Sequence, residues 1–295
     1  MNFQSHRRAL HVHCYRMLGS ASDADDLVQE TMMRAWTARD TYDPATGELG
    51  LRRWLHRIAT NACLDVLKSA PHRVAARSTS FNEIAWLQPY PDRLLDEEAV
   101  AKETIALGYL ALIQLLPAQQ RAVYLCREVL GWSAAETAAV LDISVAAANS
   151  ALQRARETVA KHAAPIAATP STDAERAVLA AFIDAHQRND ADAAFALMRE
   201  DIRATMPPSS MVFVGRDAMR PLLVRAFESE IGEWKLFEAW ANRQPASVSY
   251  LRAPGDTRFR AYKVDVLRVD GDHIAEITTF DHQFVGAFGF PEVLP

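Results

Sequence analysis

"GWSAAETAAVLDISVAAANSALQRARETVAKH", residues 131–162, reads as two helices separated by "LDIS". Ser133 and Glu136 stand three apart at the start of the first, the spacing of a capping box, in which each side chain satisfies the other's backbone N–H. Ser144 sits where it can cap a second, longer helix. Two helices joined by so short a turn form the helix-turn-helix pattern. The long helix exposes Asn149, Ser150, Gln153, Arg154 and Arg156, polar side chains able to reach base edges or phosphates. A helical hairpin in an unrelated all-α core is the plainer reading of the same stretch.

Two upstream stretches carry opposite charge. "DADDLVQETMMRAW", residues 23–36, puts Asp23, Asp25, Asp26 and Glu30 at the N-terminal end of a helix, where the dipole favours them. Leu27, Met32 or Thr31, Ala35 and Trp36 follow at helical spacing as an apolar stripe. "LRRWLHRIATNACLDVLK", residues 51–68, predicts a second helix, basic and aromatic. Arg53, Arg57, Asn61 and Asp65 recur every four residues and form one stripe, with Trp54 beside it. Arginine holds phosphates, asparagine bonds base edges, and an aromatic ring stacks on an unpaired base. Solvated charges and a core tryptophan are the competing reading of both stretches.

Between these helices "YDPATGEL" (42–49) is a loop. In residues 71–100, the two prolines of "WLQPYPD" (86–92) prevent a regular helix. Helix is predicted again in "DEEAVAKETIALGYLALIQLL" (96–116), up to Pro117, which opens the next helix. After the Pro- and Ala-rich "APIAATPST" (164–172) the texture changes. Helical stretches at 173–188 and 190–200 precede strand-like runs at 234–242, 246–252, 258–269 and 273–281. That order predicts an α+β domain with an antiparallel meander.

The chain has 295 residues, enough for two or three domains, and at 49% hydrophobic and 23% charged it has a globular composition. Its net charge of −5 argues against a generally basic nucleic-acid binder. Yet residues 1–165 are neutral, with 18 basic and 18 acidic side chains, and residues 52–77 hold six Lys/Arg against one Asp. Three scattered cysteines suit reduced thiols. No signal-peptide core or membrane-length apolar run is legible, so a cytoplasmic location is expected. His11 and His13 in "HVHC" point apart on a helix with no further cluster, so no metal is expected. No cofactor is expected either.

These motifs together resemble an extracytoplasmic-function (ECF) sigma factor of bacterial RNA polymerase. "DADDLVQETMMRAW", "WLHRIATNACLDVLK", "LPAQQRAVYLCREVLGWSAAETAAVLDIS" and "VAAANSALQRARE" occur in the family's order and span most of 1–162. The resemblance implies two all-α sigma domains, region 2 at 1–70 and a helix-turn-helix region 4 at 105–163, separated by a linker at 71–104. It implies that Asp25, Asp26, Gln29 and Glu30 dock on core RNA polymerase. Arg53, Trp54, Arg57, Asn61 and Asp65 would melt and read the −10 element of promoter DNA, and the helix from Val145 to Arg156 would read the −35 element. Two departures, "LGLRR" before Trp54 and Asn149 at an often basic position, leave the promoter sequence open.

After the linker 164–172, residues 173–295 resemble a SnoaL-like cone, a curved sheet around a helix with an apolar cavity. Met206, Phe213, Trp234, Phe237, Trp240 and Phe280 are candidates to line that cavity, with a small apolar ligand as a candidate occupant. Some SnoaL-like proteins are enzymes, which draws attention to Asp281 and His282. Neighbours on a strand face opposite sides, so one at most points inward, and no catalytic residue is assigned. In sigma factors with this extension, a linker signature like "WLQPYPD" implies a regulatory contact through Trp86, Leu87, Pro89, Pro91 and Asp92, with no need for a separate anti-sigma partner. A helix-turn-helix regulator with a ligand-binding domain, or an enzyme with a DNA-binding appendage, are the competing functions. The regulator has no use for the acidic and basic-aromatic helices together, and the enzyme would need turnover in the isolated 170–295 fragment.

Overall fold

Gly19 and Ser20 set the first helix junction. Helix α1 (Arg7–Leu18) ends where Gly19 takes φ 73° and returns its N–H to the Tyr15 carbonyl at 2.7 Å. Helix α2 (Ala21–Thr37) begins where Ser20 Oγ accepts from the Asp23 N–H at 3.2 Å. The computed structural model describes residues 3–69, 84, 86–95, 101–162, 172–209, 211–228 and 230–294. The chain divides into two compact units, Met1–Phe81 with Leu95–Ala164, and Asn82–Leu94 with Pro165–Pro295.

In the helical unit α1 and α2 pack with α3 (Gly47–Ser69) around Leu10, Cys14, Met17, Val28, Leu55 and Cys63. Then come α4 (Leu107–Gln114), α5 (Ala118–Tyr124, running into a π turn, Leu125–Val129), α6 (Ala134–Leu141) and α7 (Val145–His162). The capping box forms: the Ser133 N–H donates to Glu136 Oε2 at 2.7 Å, and the Glu136 N–H to Ser133 Oγ at 3.1 Å. Asp142, left-handed at φ 52°, makes the turn, and Ser144 Oγ accepts from the Ala147 N–H.

Two readings of this part need correction. Residues 96–100 lie outside the described residues, and the helix predicted from there on is only a short 3-10 turn, Lys102–Thr104, before α4. The Arg16 guanidinium takes the Thr104 carbonyl at 2.9 Å and its hydroxyl at 2.6 Å, and Ala106 is extended. Trp36 is not in the apolar stripe of α2. The buried stripe is Ala24, Leu27, Val28, Thr31 and Ala35, while Trp36 is 63% exposed, one step of about 100° round the helix from Ala35.

Arg121 of α5 ties the two halves of this unit together. Its fully buried guanidinium donates to the carbonyls of Met17 in α1, Ile113, Gln114 and Leu116, and to Gln114 Oε1. Gln114 Nε2 in turn donates to the Arg16 carbonyl at 3.0 Å. Burial pushes Arg121 down to about 9, which leaves it charged at neutral pH.

The second unit has α8 (Thr172–Gln187), α9 (Ala191–Ala196), strands β1 (Met198–Thr205) and β2 (Val212–Val214), and α10 (Arg216–Ala226). Strands β3 (Glu233–Ala241), β4 (Gln244–Arg252), β5 (Arg260–Asp270) and β6 (His273–Asp281) form the predicted meander, followed by a 3-10 segment, His282–Phe288. The sheet order is β2-β1-β6-β5-β4-β3, with β1 parallel to β6 and the other pairs antiparallel. The helix predicted over 190–200 ends at Ala196. The Ile274 N–H bonds the Leu197 carbonyl at 2.8 Å and Met198 registers with Ile274, so pairing with β6 captures the chain as strand.

One face of the sheet packs on helices through Trp234, Leu236, Leu267 and Ile277 against Val178, Leu179, Phe182, Met219 and Leu223. The other face buries Val248, Tyr250, Val264, Val266 and Phe280 under the C-terminal tail, where the Tyr250 hydroxyl donates to the Pro291 carbonyl at 2.6 Å. The cavity candidates are therefore split. Trp234 and Trp240 share the helix-side face. Phe237 and Phe280 point to the tail side, near Phe290 and Phe284 at 5.5 and 5.8 Å between ring centroids. The period-2 alternation of a strand makes the division.

Arg121→Leu takes the guanidinium donor from the carbonyls of Met17, Gln114 and Leu116 and lowers the stability of the helical unit by about 3 kcal/mol or more. Arg121→Lys recovers little of it, because an ammonium cannot span acceptors placed for a planar fork. Urea unfolding followed by far-ultraviolet circular dichroism measures both.

Candidate nucleic-acid interface

Helix α2 turns its acidic residues outward. Asp26 and Gln29 are exposed, as is Asp25, which lies 3.4 Å from both Arg7 and His11. Glu30 is half-buried and bonds Arg34 at 2.8 Å, and the same guanidinium reaches Asp65 of α3 at 3.1 Å. Met33 and Trp36, 60% and 63% exposed, extend this face, so the patch is apolar as well as acidic. The spacing 29, 33, 36 was open to inspection in the sequence, but no rule of helical periodicity says which apolar residue faces solvent.

On α3 the stripe is present. Arg57 and Asp65 are exposed, while Arg53, Trp54 and Asn61 are half-buried. Its members differ in freedom. Arg53 is bound to Glu136 of α6 at 2.8 Å, and Asp65 to Arg34. The Trp54 ring packs 5.6 Å from Tyr42 and 6.1 Å from Phe3. Arg57 has no ion pair among the described residues. Glu136 is held below the usual carboxylate range, first by its bond from the Ser133 N–H. The Arg53–Glu136 pair crosses from the basic helix to the capping box and was not legible in the sequence, since the two residues are far apart in the chain.

On α7, Asn149, Ser150, Gln153, Arg154 and Arg156 are all exposed along one side, while Ala148, Ala151, Leu152 and Ala155 are buried. Gln153 bonds Glu157 at 3.1 Å and Arg156 is paired to Glu128 at 2.6 Å. Arg154 has no ion partner among the described residues.

The segment 86–93 belongs to the sheet unit. The Tyr90 N–H donates to Asn242 Oδ1 at 2.8 Å, and the Asn242 N–H returns to the Tyr90 carbonyl at 2.8 Å. The Arg243 N–H donates to Asp92 Oδ1 at 2.9 Å, Arg93 Nε donates to the Ala287 carbonyl at 2.8 Å, and Pro91 bridges to Ala241. Leu87, Pro89 and Pro91 are buried, and Trp86 is half-buried. Asn242 and Arg243 form the two-residue turn between β3 and β4, both left-handed at φ 57° and 58°. Tyr90 and Arg93 were missed in the sequence, because a backbone that bonds a distant turn leaves no local signal.

Asp281 and His282 pair with each other at 2.7 Å, both exposed, and Asp281 caps the final 3-10 segment. Among the described residues no group of His, Cys, Asp or Glu could hold a metal ion, and no helix is long and apolar enough to cross a membrane.

An acidic helix, a basic-aromatic helix and a helix-turn-helix on one chain fit the sigma class of transcription initiation factors. Models of Sigma-70 region 2 and Sigma-70, region 4 match residues 3–72 and 107–159. The chain is 35% identical over 314 aligned residues to the ECF RNA polymerase sigma factor SigG of Mycobacterium tuberculosis, covering 99% of this chain and 83% of that one. It is 30% identical over 210 residues to SigJ of the same organism, covering 69% and 63%. The crystal structure of SigJ aligns at a TM-score of 0.64 and 20% identity over 96% of this chain and 97% of that one, a likeness of fold. The chain belongs to the ECF RNA polymerase sigma factors, which direct RNA polymerase to promoters.

A buried aromatic trio carries a pH dependence. His56 lies 5.2 Å from His13 and 6.2 Å from Trp132. Burial lowers His56 to about 4, against the pull of its bond to the Arg52 carbonyl. An unfolded histidine titrates near 6.5, so the unfolded chain takes the proton first. The contribution is whole above pH ~6.5 and is lost as pH falls towards ~4, by about 3 kcal/mol. Urea midpoints at pH 7 and pH 5 measure the loss, and His56→Gln makes it smaller.

Proposed function

We propose that this sigma factor is tuned by its own C-terminal domain through the segment 86–93. The observation that carries the reading is the reciprocal pair of Tyr90–Asn242 hydrogen bonds, reinforced by Asp92 on Arg243. In chain order the division is region 2 at 1–70, linker 71–104, region 4 at 105–163, linker 164–172 and the regulatory domain 173–295. The linker connects the two promoter-reading regions, so a domain that holds its middle limits how far those regions spread on polymerase. Trp86, Leu87, Pro89, Pro91 and Asp92 are the regulatory linker residues. The C-terminal domain acts as a regulator and not as an enzyme.

Asp25, Asp26, Gln29 and Glu30 dock core polymerase, helped by Met33 and Trp36. Arg53, Trp54, Arg57, Asn61 and Asp65 engage the melted −10 strand. Asn149, Ser150, Gln153, Arg154 and Arg156 face the −35 element. The exposure of Asp25, Asp26, Gln29, Arg57, Asp65 and the five α7 residues supports the assignment; Glu30, Arg53, Trp54 and Asn61 are half-buried beside them.

Asn242→Gly tests the tuning. Glycine accepts the left-handed turn and removes the Oδ1 acceptor. Transcription in vitro by the full-length variant shifts towards that of a chain ending near residue 163. An unchanged rate in a folded Asn242→Gly protein, beside a changed rate on truncation, refutes the linker contact as the route. At the promoter, Arg154→Ala weakens holoenzyme binding and lowers its salt dependence by about one unit of slope, if Arg154 holds a phosphate. Arg156→Ala does less, because Glu128 already engages that guanidinium. Filter binding over a salt series compares them.

A further inference from the structure

The helical unit buries histidines that the sigma function does not use. Every residue of α1 from Leu10 to Leu18 is buried, among them His11, His13 and Arg16. Helices α2 and α3 pack on α1, and so do α4 and α5 of the stretch matched by region 4. Arg16 marks this second side: its guanidinium reaches Thr104, and its carbonyl accepts from Gln114. His13 stands three residues before Arg16, on the same side of the helix. From α3, His56 comes to 5.2 Å from His13. Trp132, in the connection between α5 and α6, meets His56 edge-on at 6.2 Å. All three rings are buried.

Their surroundings divide the histidines of this unit. His6 faces Glu48 at 3.0 Å and His11 faces Asp25 at 3.4 Å, so a proton on either meets a carboxylate. His13 and His56 have no such neighbour among the described residues. The Thr60 hydroxyl gives its proton to the His56 carbonyl at 2.7 Å, so His13 Nε2 donates to that oxygen at 2.8 Å. His56 Nδ1 donates to the Arg52 carbonyl at 2.8 Å. A second proton on either ring sets a charge beside the other ring and among Arg16, Arg52 and His6, in a poorly screened interior. The region 4 stretch brings no free acid to balance it. Arg121 of α5 is a buried cation at the Met17 carbonyl, Arg127 donates to the Trp132 carbonyl at 2.7 Å, and Glu136 of α6 is held by Arg53 at 2.8 Å. Burial keeps both rings neutral, with His56 lowered to about 4 and His13 well below its ordinary value.

We propose that His13 and His56 form a proton-operated latch on the seam between the region 2 and region 4 stretches: a proton on either ring drives the region 4 stretch off the region 2 stretch and releases Arg53 from Glu136. The coupling follows from where the proton can go. With the seam open, the two rings meet water and titrate near the ordinary ~6.5 of histidine. With it shut, His56 takes a proton only at about 4, and His13 is shifted in the same direction. The shut state is therefore favoured in full above pH ~6.5 and loses ground as pH falls towards ~4. Between pH 7 and pH 5, His56 alone moves the balance about twentyfold towards opening, and His13 pushes the same way. The latch acts inside the helical unit and is independent of the Tyr90–Asn242 contact, which Asn242→Gly tests.

The test places a donor and an acceptor dye at the exposed positions 40 and 160 of the full-length protein, through non-natural side chains, and follows energy transfer from pH 7 to pH 5. The ratio of open to shut molecules rises at least tenfold, while far-ultraviolet circular dichroism keeps its helical signal. In His13→Gln/His56→Gln the rise is below threefold. If that double variant lacks the helical signal at pH 7, His13→Gln alone takes its place, and its rise is at most a third of the wild-type rise. Constant energy transfer from pH 7 to pH 5 in the wild type, a change that coincides with loss of helix, or a full rise in the folded variant overturns the proposal.

Discussion

A guanidinium with no carboxylate to face it holds the helical unit together. Arg121 is compensated by carbonyls, among them those of Met17 near the end of α1 and of Ile113 and Gln114 at the end of α4. They lie at helix C-termini, where carbonyls lack the usual helical donor and form the negative ends of the helix dipoles; the Ile113 carbonyl also takes the Leu116 N–H. One cation thus satisfies both helix ends and a glutamine, and the contacts around it follow. Arg16 reaches Thr104, His56 meets Trp132 edge-on, and Arg53 meets Glu136. The stretches matched by Sigma-70 regions 2 and 4 lie in one compact unit, and Arg53 of the basic helix is engaged within it.

The sheet unit works by a different constraint, the alternation of side chains along each strand. Both faces of the sheet are buried, so odd and even positions carry separate duties. On one side Tyr250 and Phe280 pack under the C-terminal tail. On the other, Trp234, Leu236, Leu267 and Val269 pack against the helices, with Asp265 on the same face two residues before Leu267. The turn at Asn242 and Arg243 serves a further purpose. Its left-handed backbone closes the β3–β4 hairpin, and its Asn242 side chain and Arg243 N–H reach out to Tyr90 and Asp92. A segment that Pro89 and Pro91 keep out of a helix is well suited to bonding such a turn, because its backbone groups are free of an internal ladder.

Much was determined by the sequence alone, wherever the cause is local. The capping box of Ser133 and Glu136, the stripe from Arg53 to Asp65, the outward row on α7 and the four-strand meander all follow from spacing, and spacing acts within a few residues. Tertiary structure decided what depends on neighbours far along the chain. Trp36 turned out to solvent, Thr104 was drawn out of a helix by Arg16, Met198 was captured by β6, and Phe237 and Phe280 fell on the side away from Trp234. The clasp of Tyr90 on Asn242 belongs to the same class. Periodicity says which residues share a face, but which face is covered, and by what, is set only when distant segments compete to satisfy the same buried backbone and polar groups.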